Sequence, residues 1–310
     1  MEAIKSVIIE KRPTLSEGSV KTYLSCLKSL HKSIWGKDTP VAIESFSNTE
    51  MVMSHMLPIE YNKRKTCLSA LVVITGLSCY SELMMGDILK MKNKELLQEK
   101  DGVFENNLIT PEEVLLVVIK QKKLSALLYK KEKKTDADFA DIQNYILLCL
   151  TTGIYVAPRR SADWDMKWRN YTDEENYIDL KKKQFVFNHY KTVSTYGACA
   201  IDIPKELLAI IKKYIKIIPE GQDNLLFNRA GNSLGQSEIA HRLNAVFGKN
   251  ISTSMLRHIY LTGKFGHINL LEMTETADAM GTSVGQLMAY VKIGSALDDE
   301  LKTVDAKVDL

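Results

Sequence analysis

The amino-acid sequence predicts a mainly α-helical protein with a small antiparallel β-sheet and two domains. Apolar residues recur at helical spacing over most of the 310 residues. Short alternating segments between residues 177 and 204 have the pattern of strands, and a polar, turn-forming stretch near residues 98–107 separates two helical regions. We therefore expect one domain over residues 1–104 and a second over residues 105–310, with a C-terminal tail at 293–310.

The composition is that of an ordinary globular protein, with 45% hydrophobic and 25% charged residues. No apolar run approaches the roughly 20 residues that span a bilayer, and the N-terminus lacks the apolar core of a signal peptide. We therefore expect an intracellular protein with no membrane partner. The five cysteines are widely spaced and form no CxxC pair, so neither a disulfide framework nor a zinc site is predicted. The net charge of +3 does not by itself indicate a polyanionic partner.

The first domain is predicted to be helical with basic surfaces. Ser16 caps a helix whose apolar residues between Val20 and Leu30 share one face, and a buried helix follows at residues 68–77. Basic residues on or before these helices are candidate contacts to DNA: Lys21, Lys28, Lys63, Arg64 and Lys65. A solvated basic face is an equally good interpretation.

The second domain begins with a clear helix start, in which Thr110 is the cap and Pro111 the first helical residue. An apolar helix at residues 138–155 precedes Arg159 and Arg160. Asp163 follows at a spacing that lets its carboxylate hold one of the two guanidinium groups. A structural salt bridge is the alternative interpretation.

Three short strands are predicted next, at residues 177–180, 184–190 and 198–204. In the middle strand Phe185 and Phe187 share a face with Lys191, which places this lysine at a hairpin tip. A lone lysine on a hairpin usually only increases solubility.

Two further segments carry candidate functional residues. In the helix predicted around residues 252–262, Arg257 lies at the edge of the apolar face, where its donors could grip a phosphate. Further on, Gly281 ends one helix and Ser283 caps a short one that carries Tyr290. Taken alone, each side chain is more often a surface or packing residue.

In order and spacing these segments resemble the tyrosine recombinase (phage-type integrase) family over nearly the whole chain. The family pattern is a helical DNA-clamping, or core-binding, domain followed by a catalytic domain. That catalytic domain has an arginine after a TG turn, a hairpin lysine, an HxxR box, a GH box and a final tyrosine. The matching segments here are TG followed by APRRSADW, YKTVSTYG, SMLRH and MGTSVGQLMAY. Two segments, APRRSADW and FVFNHYKT, resemble the corresponding segments of family members encoded by large DNA viruses and their satellites. A protein of that origin would act in the host cytoplasm, the nucleus or a viral factory.

The resemblance implies a site-specific recombinase or integrase that cleaves and rejoins double-stranded DNA through a phosphotyrosyl intermediate. No metal, ATP or other cofactor is implied. Tyr290 is the implied nucleophile, Arg257 and either Arg159 or Arg160 hold the phosphate, and Lys191 protonates the leaving oxygen. The implied assembly is a homotetramer on synapsed DNA, formed from monomers or weak oligomers.

Two positions depart from the family pattern. Ser254 and Thr282 stand where the family has the histidines of the HxxR and GH boxes, and His258 is a nearby side chain able to compensate in part. The sequence leaves open whether Tyr290 acts in its own active site or in a neighbour's. A type IB topoisomerase-like enzyme and a catalytically impaired DNA-binding relative remain alternatives.

Overall fold

A computed structural model describes residues 1–96, 106–265 and 270–290 of the protein. The chain divides into two compact units, Met1–Leu97 and Gln98–Leu310. The expected domain boundary at residue 104 and the expected tail at 293–310 lie outside the described residues. Within the described ranges, no helix is long and apolar enough to cross a membrane.

The first unit is helical throughout its regular structure. Its elements are α1 Glu2–Lys11, α2 Glu17–Trp35, a 3₁₀ turn Glu44–Ser47, α3 Thr49–Met56, α4 Tyr61–Thr75 and α5 Ser78–Leu96. The predicted cap of α2 is confirmed, because the Ser16 hydroxyl accepts the Ser19 backbone N–H at 3.2 Å. The apolar faces meet in one core in which Leu27, Phe46 and Leu71 are fully buried.

Arg64 belongs to this core. Its side chain is buried, and its Nε and Nη2 atoms each donate to the Asp87 carboxylate at 2.7 Å. Its Nη1 atom donates to the carbonyls of Met56 and Leu57 at 3.2 and 2.7 Å. The prediction that Arg64 contacts DNA is therefore wrong. Arg64 lies four residues before the buried Leu68, so the helix turns both side chains to the same inner face.

Substituting Arg64 should destabilise the first unit strongly. Arg64→Met leaves the Asp87 carboxylate buried and unpaired, so we expect the free energy of unfolding to fall by about 3–5 kcal/mol. Chemical denaturation followed by circular dichroism measures this change. The matched control is Lys63→Met, because Lys63 pairs with Glu60 on the surface at 3.2 Å; it should cost less than about 1 kcal/mol. Equal stability of the two variants would contradict the structural role of Arg64.

The second unit contains the remaining described helices. They are α6 Pro111–Tyr129, α7 Asp136–Thr151, α8 Val193–Tyr196, α9 Lys205–Ile215, α10 Gln236–Phe247, α11 Thr253–Phe265, α12 Leu270–Ala279 and α13 Val284–Tyr290. The predicted start of α6 is confirmed, with Thr110 and Glu113 forming a reciprocal capping box. Helix α7 begins and ends earlier than predicted. Thr135 caps its start, and Gly153, with φ of +85°, prevents it from continuing to residue 155.

A four-stranded sheet packs within the second unit in the order β1-β2-β3-β4. The strands are β1 Met166–Lys167, β2 Asn176–Asp179, β3 Gln184–Phe187 and β4 Cys199–Asp202. The β2–β3 and β3–β4 pairs are antiparallel, as predicted, whereas β1 pairs parallel to β2. The sheet is therefore mixed, and the prediction of a purely antiparallel sheet is wrong. A strand of two residues has too little alternation to be recognised in a sequence.

Candidate active site

Arg257 is buried in the second unit rather than lying at the edge of an apolar face. Ser252 accepts the Met255 backbone N–H at 3.1 Å and so caps α11. The next turn buries Arg257 to 2% exposure, beside Leu256. Burial lowers the pKa of the Arg257 guanidinium from its ordinary value, and the positive charge of Arg160 contributes to this lowering. The Nε and Nη2 atoms of Arg257 are inaccessible to solvent and have no hydrogen-bond partner among the described residues.

Tyr290 meets Arg257 within the same chain. Ser283 caps α13 by accepting the Gln286 N–H at 3.2 Å, and the fully buried Leu287 holds the helix against the unit. Arg257 Nη1 donates to the Tyr290 hydroxyl at 3.2 Å, and its guanidinium lies 4.4 Å from the centre of the tyrosine ring. Tyr290, the candidate nucleophile, and Arg257, a candidate phosphate-binding residue, are thus in direct contact.

His258 holds the backbone of the same tyrosine. Its Nδ1 atom lies 2.6 Å from the carbonyl oxygen of Tyr290, and the two rings meet edge to face at 4.8 Å. Because a carbonyl oxygen only accepts, Nδ1 carries the proton in this contact. His258 and Arg257, neighbours on α11, therefore hold the backbone and the hydroxyl of Tyr290 respectively.

The two adjacent arginines have different environments. Arg159 is 1% exposed; its Nε atom donates to Asp163 at 3.0 Å and its Nη1 atom donates to the Ala279 carbonyl at 2.9 Å. Its guanidinium lies 4.0 Å from the ring centre of Phe187 and 5.0 Å from that of Tyr190. Asp163, Ala279 and the two aromatic rings therefore enclose the Arg159 side chain.

Arg160 is only half-buried, and its Nη1 atom, although inaccessible to solvent, has no partner within the described part of the chain. Asp163, which is fully buried, forms its ion pair with the neighbouring Arg159 at 3.0 Å. Burial raises the pKa of the Asp163 carboxyl, while the positive charges of Arg159, Arg160 and Arg257 oppose that rise. One carboxylate therefore lies in the field of three guanidinium groups.

Lys191 is exposed in the connection from β3 to β4, and both of its neighbours are anchored. The Tyr190 hydroxyl donates to the Gly197 carbonyl at 2.6 Å, and the Thr192 hydroxyl donates to the Gly281 carbonyl at 2.8 Å. The connection includes the short helix α8, so Lys191 is not at the tip of a tight hairpin as predicted. Strand β3 ends at Phe187, which interrupts the alternation on which that prediction depended.

The residues at the two departures from the family pattern lie in different environments. Ser254 is exposed in the first turn of α11. Thr282 is 4% exposed, and its backbone N–H donates to the Ala277 carbonyl at 2.9 Å, which closes the turn between α12 and α13. Neither side chain is an imidazole, so the proton transfers of a histidine at these positions are unavailable to them.

The sequence reasoning missed the anchoring residues Tyr190, Thr192 and Gly281. Gly281 has φ of +61°, and a Cβ atom there would lie 3.1 Å from the Tyr190 ring and 3.2 Å from Arg159 Nη2. The sequence marks Gly281 only as the end of a helix. No local pattern indicates that the β3–β4 connection packs on this turn.

The candidate DNA-contacting lysines lie in the first unit. Lys21 pairs with Glu17 at 2.7 Å on an exposed face of α2, and Lys28 is exposed on the same helix. Lys63 is exposed and Lys65 is half-buried at the start of α4. Their contact with DNA remains a prediction.

Comparison with known proteins identifies the fold. The sequence matches no protein-family model and no curated protein. Among solved structures, the chain is similar to the XerA recombinase, with 12% identity, 98% of each chain covered and a TM-score of 0.43. It is also similar to the XerH site-specific recombinase bound to palindromic difH substrate, with 16% identity, 98% of this chain and 94% of that chain covered, and a TM-score of 0.44.

A third similar structure is the Tn1549 transposon integrase in complex with circular intermediate DNA. The identity is 11%, the coverage is 97% of this chain and 98% of that chain, and the TM-score is 0.50. This likeness shows that the mostly helical chain with its small mixed sheet shares the tyrosine recombinase fold. At this identity it shows the fold alone.

Proposed function

We propose that the protein is a site-specific DNA recombinase or integrase that cleaves and rejoins DNA strands through a covalent phosphotyrosyl intermediate. The observation that carries this proposal is the contact between the Tyr290 hydroxyl and Arg257 Nη1 at 3.2 Å. This contact supports the proposal because a tyrosine hydroxyl lies beside a buried guanidinium that retains unpaired donors within the described residues. A phosphodiester bound there would receive both groups at once, and we propose that Tyr290 acts in its own active site.

The chemistry follows from these groups. The Tyr290 hydroxyl gives its proton to solvent as its oxygen attacks the scissile phosphorus. The bond to the leaving oxygen breaks, and Lys191 gives that oxygen a proton. The negative charge that develops on the phosphate oxygens is stabilised by the guanidinium groups of Arg257 and Arg160. The phosphotyrosyl bond conserves the phosphoester energy, so a strand hydroxyl can reverse the step without ATP, metal or another cofactor.

We assign the second phosphate-binding role to Arg160 rather than Arg159. Arg160 is half-buried with an unpaired Nη1 atom in the described structure, and its charge acts on the pKa of Arg257. Arg159 also has an unpaired atom, Nη2, among the described residues, but its side chain is only 1% exposed and donates to Asp163 and Ala279. A side chain committed to two protein acceptors has less capacity for a bidentate contact with phosphate.

The proposed partner is double-stranded DNA, bound by a homotetramer when two sites are synapsed. Exposed lysines of the first unit, Lys21, Lys28 and Lys63, together with the half-buried Lys65, would contact backbone phosphates and position the duplex. Because each phosphate contact releases counterions, DNA affinity should fall steeply as salt concentration rises.

Covalent trapping tests the proposed function. The protein is incubated with nicked duplexes, drawn from a random pool or from the flanks of its own gene, that lose the leaving strand after cleavage. An SDS-resistant protein–DNA adduct is expected, and strand exchange between two labelled duplexes then distinguishes recombination from topoisomerase-like relaxation. Tight DNA binding without any adduct would instead indicate a binding protein that lost its chemistry with Ser254 and Thr282.

Lys191→Met should slow adduct formation at saturating DNA by about 100-fold or more, because an alkoxide is a poor leaving group without a proton donor. On a duplex whose leaving oxygen is replaced by sulfur, a thiolate departs unaided, and the variant should approach the wild-type rate. Single-turnover kinetics on both duplexes measure this difference. Lys182→Met, at another exposed lysine of the unit, is the control. An equal loss on both substrates would show that Lys191 does not donate the proton.

A further inference from the structure

Arg159 joins three separate segments of the second unit. It donates to Asp163 in the 3₁₀ turn that follows it, Ser161–Trp164, and to the Ala279 carbonyl 120 residues further along the chain. It also lies against the rings of Phe187 and Tyr190, at the end of β3. Arg160 directly precedes the 3₁₀ turn, Tyr290 lies on the helix that follows Ala279, and Lys191 lies on the connection that follows β3.

The turn that follows Ala279 is packed directly on this guanidinium. Gly281 has no side chain, and a Cβ atom there would lie only 3.2 Å from Arg159 Nη2. Thr192 donates to the carbonyl of the same glycine at 2.8 Å. The turn before α13 and the connection that carries Lys191 are therefore both seated around Arg159.

Arg159 also supplies the positive charge that pairs with the buried carboxylate of Asp163. A fully buried carboxylate requires a cation, and Arg160 and Arg257 are the other guanidinium groups acting on its pKa. Arg159 Nε donates to one oxygen of this carboxylate, so Arg159 supplies the paired cation, and no hydrogen bond joins Asp163 to Arg160 or Arg257 within the described residues.

From these contacts we infer that Arg159 is a positioning residue. It sets the distance between the proton donor on the Lys191 connection and the nucleophile on α13, and it occupies Asp163 so that Arg160 and Arg257 face the phosphate. This inference rests on the proposed function for its kinetic consequences. Its structural consequence, an ordered turn at residues 279–283, can be measured without catalysis.

The test uses Arg159→Lys in the full-length chain. Lysine keeps a positive charge near Asp163 but cannot reach Asp163 and Ala279 together or lie flat against two rings. Misplacement of reacting groups by about 1 Å can cost roughly 100-fold. We therefore expect the single-turnover adduct rate at saturating DNA to fall by about 10- to 100-fold, while the half-saturating DNA concentration changes by less than about threefold.

Hydrogen exchange supplies a measurement that does not depend on DNA cleavage. Backbone amides at residues 280–290 should exchange at least about tenfold faster in Arg159→Lys, whereas those of α7 should keep their protection. Arg169→Met is the matched control, because Arg169 also pairs with a carboxylate, Asp223, at 2.8 Å and lies over a ring, that of Trp168. It should leave both the adduct rate and the exchange at 280–290 unchanged.

The outcomes separate the two proposals. If the amides at 280–290 exchange faster in Arg159→Lys but the wild-type protein forms no adduct, the positioning role is retained and the proposed function is overturned. Unchanged exchange at 280–290 in Arg159→Lys, or an adduct rate that is restored fully by more DNA, would overturn the positioning role.

Discussion

The Tyr290→Phe variant should form no covalent adduct with nicked duplexes on which the wild-type protein is trapped. Phenylalanine removes only the hydroxyl that attacks phosphorus, so the covalent step has no nucleophile. We expect the adduct rate to fall by at least about 10,000-fold, to the background of the assay. DNA affinity should be preserved, because the ring remains for the contact with Arg257 and the Tyr290 backbone remains for His258.

Tyr260→Phe is the control for this experiment. Tyr260 lies on α11, three residues after Arg257, and its ring packs where a Cβ atom on Gly153 would fall, at 2.2 Å. Removing its hydroxyl leaves that packing in place, so the adduct should form at close to the wild-type rate. An adduct that persists in Tyr290→Phe and disappears in Tyr260→Phe would assign the nucleophile to Tyr260 and overturn the proposed site.

Arg257→Met should lower the single-turnover rate at saturating DNA by about 1,000-fold or more. Removing one preorganised donor to a developing charge typically costs roughly 100- to 1,000-fold, and Arg257 supplies several donors. The variant also loses the hydrogen bond that orients the Tyr290 hydroxyl. Rapid-quench measurement of the adduct gives the rate, and filter binding gives the DNA affinity.

Arg242→Met provides the comparison, since Arg242 is a half-buried arginine of the same unit whose Nη2 atom donates to the Phe227 carbonyl at 3.4 Å. Burial lowers the pKa of Arg242 as it does for Arg257. A loss confined to Arg257→Met therefore reports its position beside Tyr290 and not burial in general. Equal losses in the two variants would mean that the rate responds only to the stability of the unit.

The sequence alone was sufficient for features that depend on short-range contacts. The caps at Ser16 and Thr110 follow from side chains that bond to backbone N–H groups three residues away. The antiparallel pairing of β2, β3 and β4 follows from alternating apolar residues. The resemblance drawn from five short segments also agrees with the fold found among solved structures.

The tertiary structure decided what each charged side chain faces. Arg64 turns inward because a carboxylate 23 residues away accepts two of its hydrogen bonds. Arg159 and Arg160 are adjacent and chemically identical, yet Arg159 is enclosed by Ala279, Phe187 and Tyr190, whereas Arg160 is only half-buried. Periodicity sets the direction of a side chain within its own helix or strand. Its hydrogen-bond partners and its burial depend on groups from distant parts of the chain, which only folding brings together.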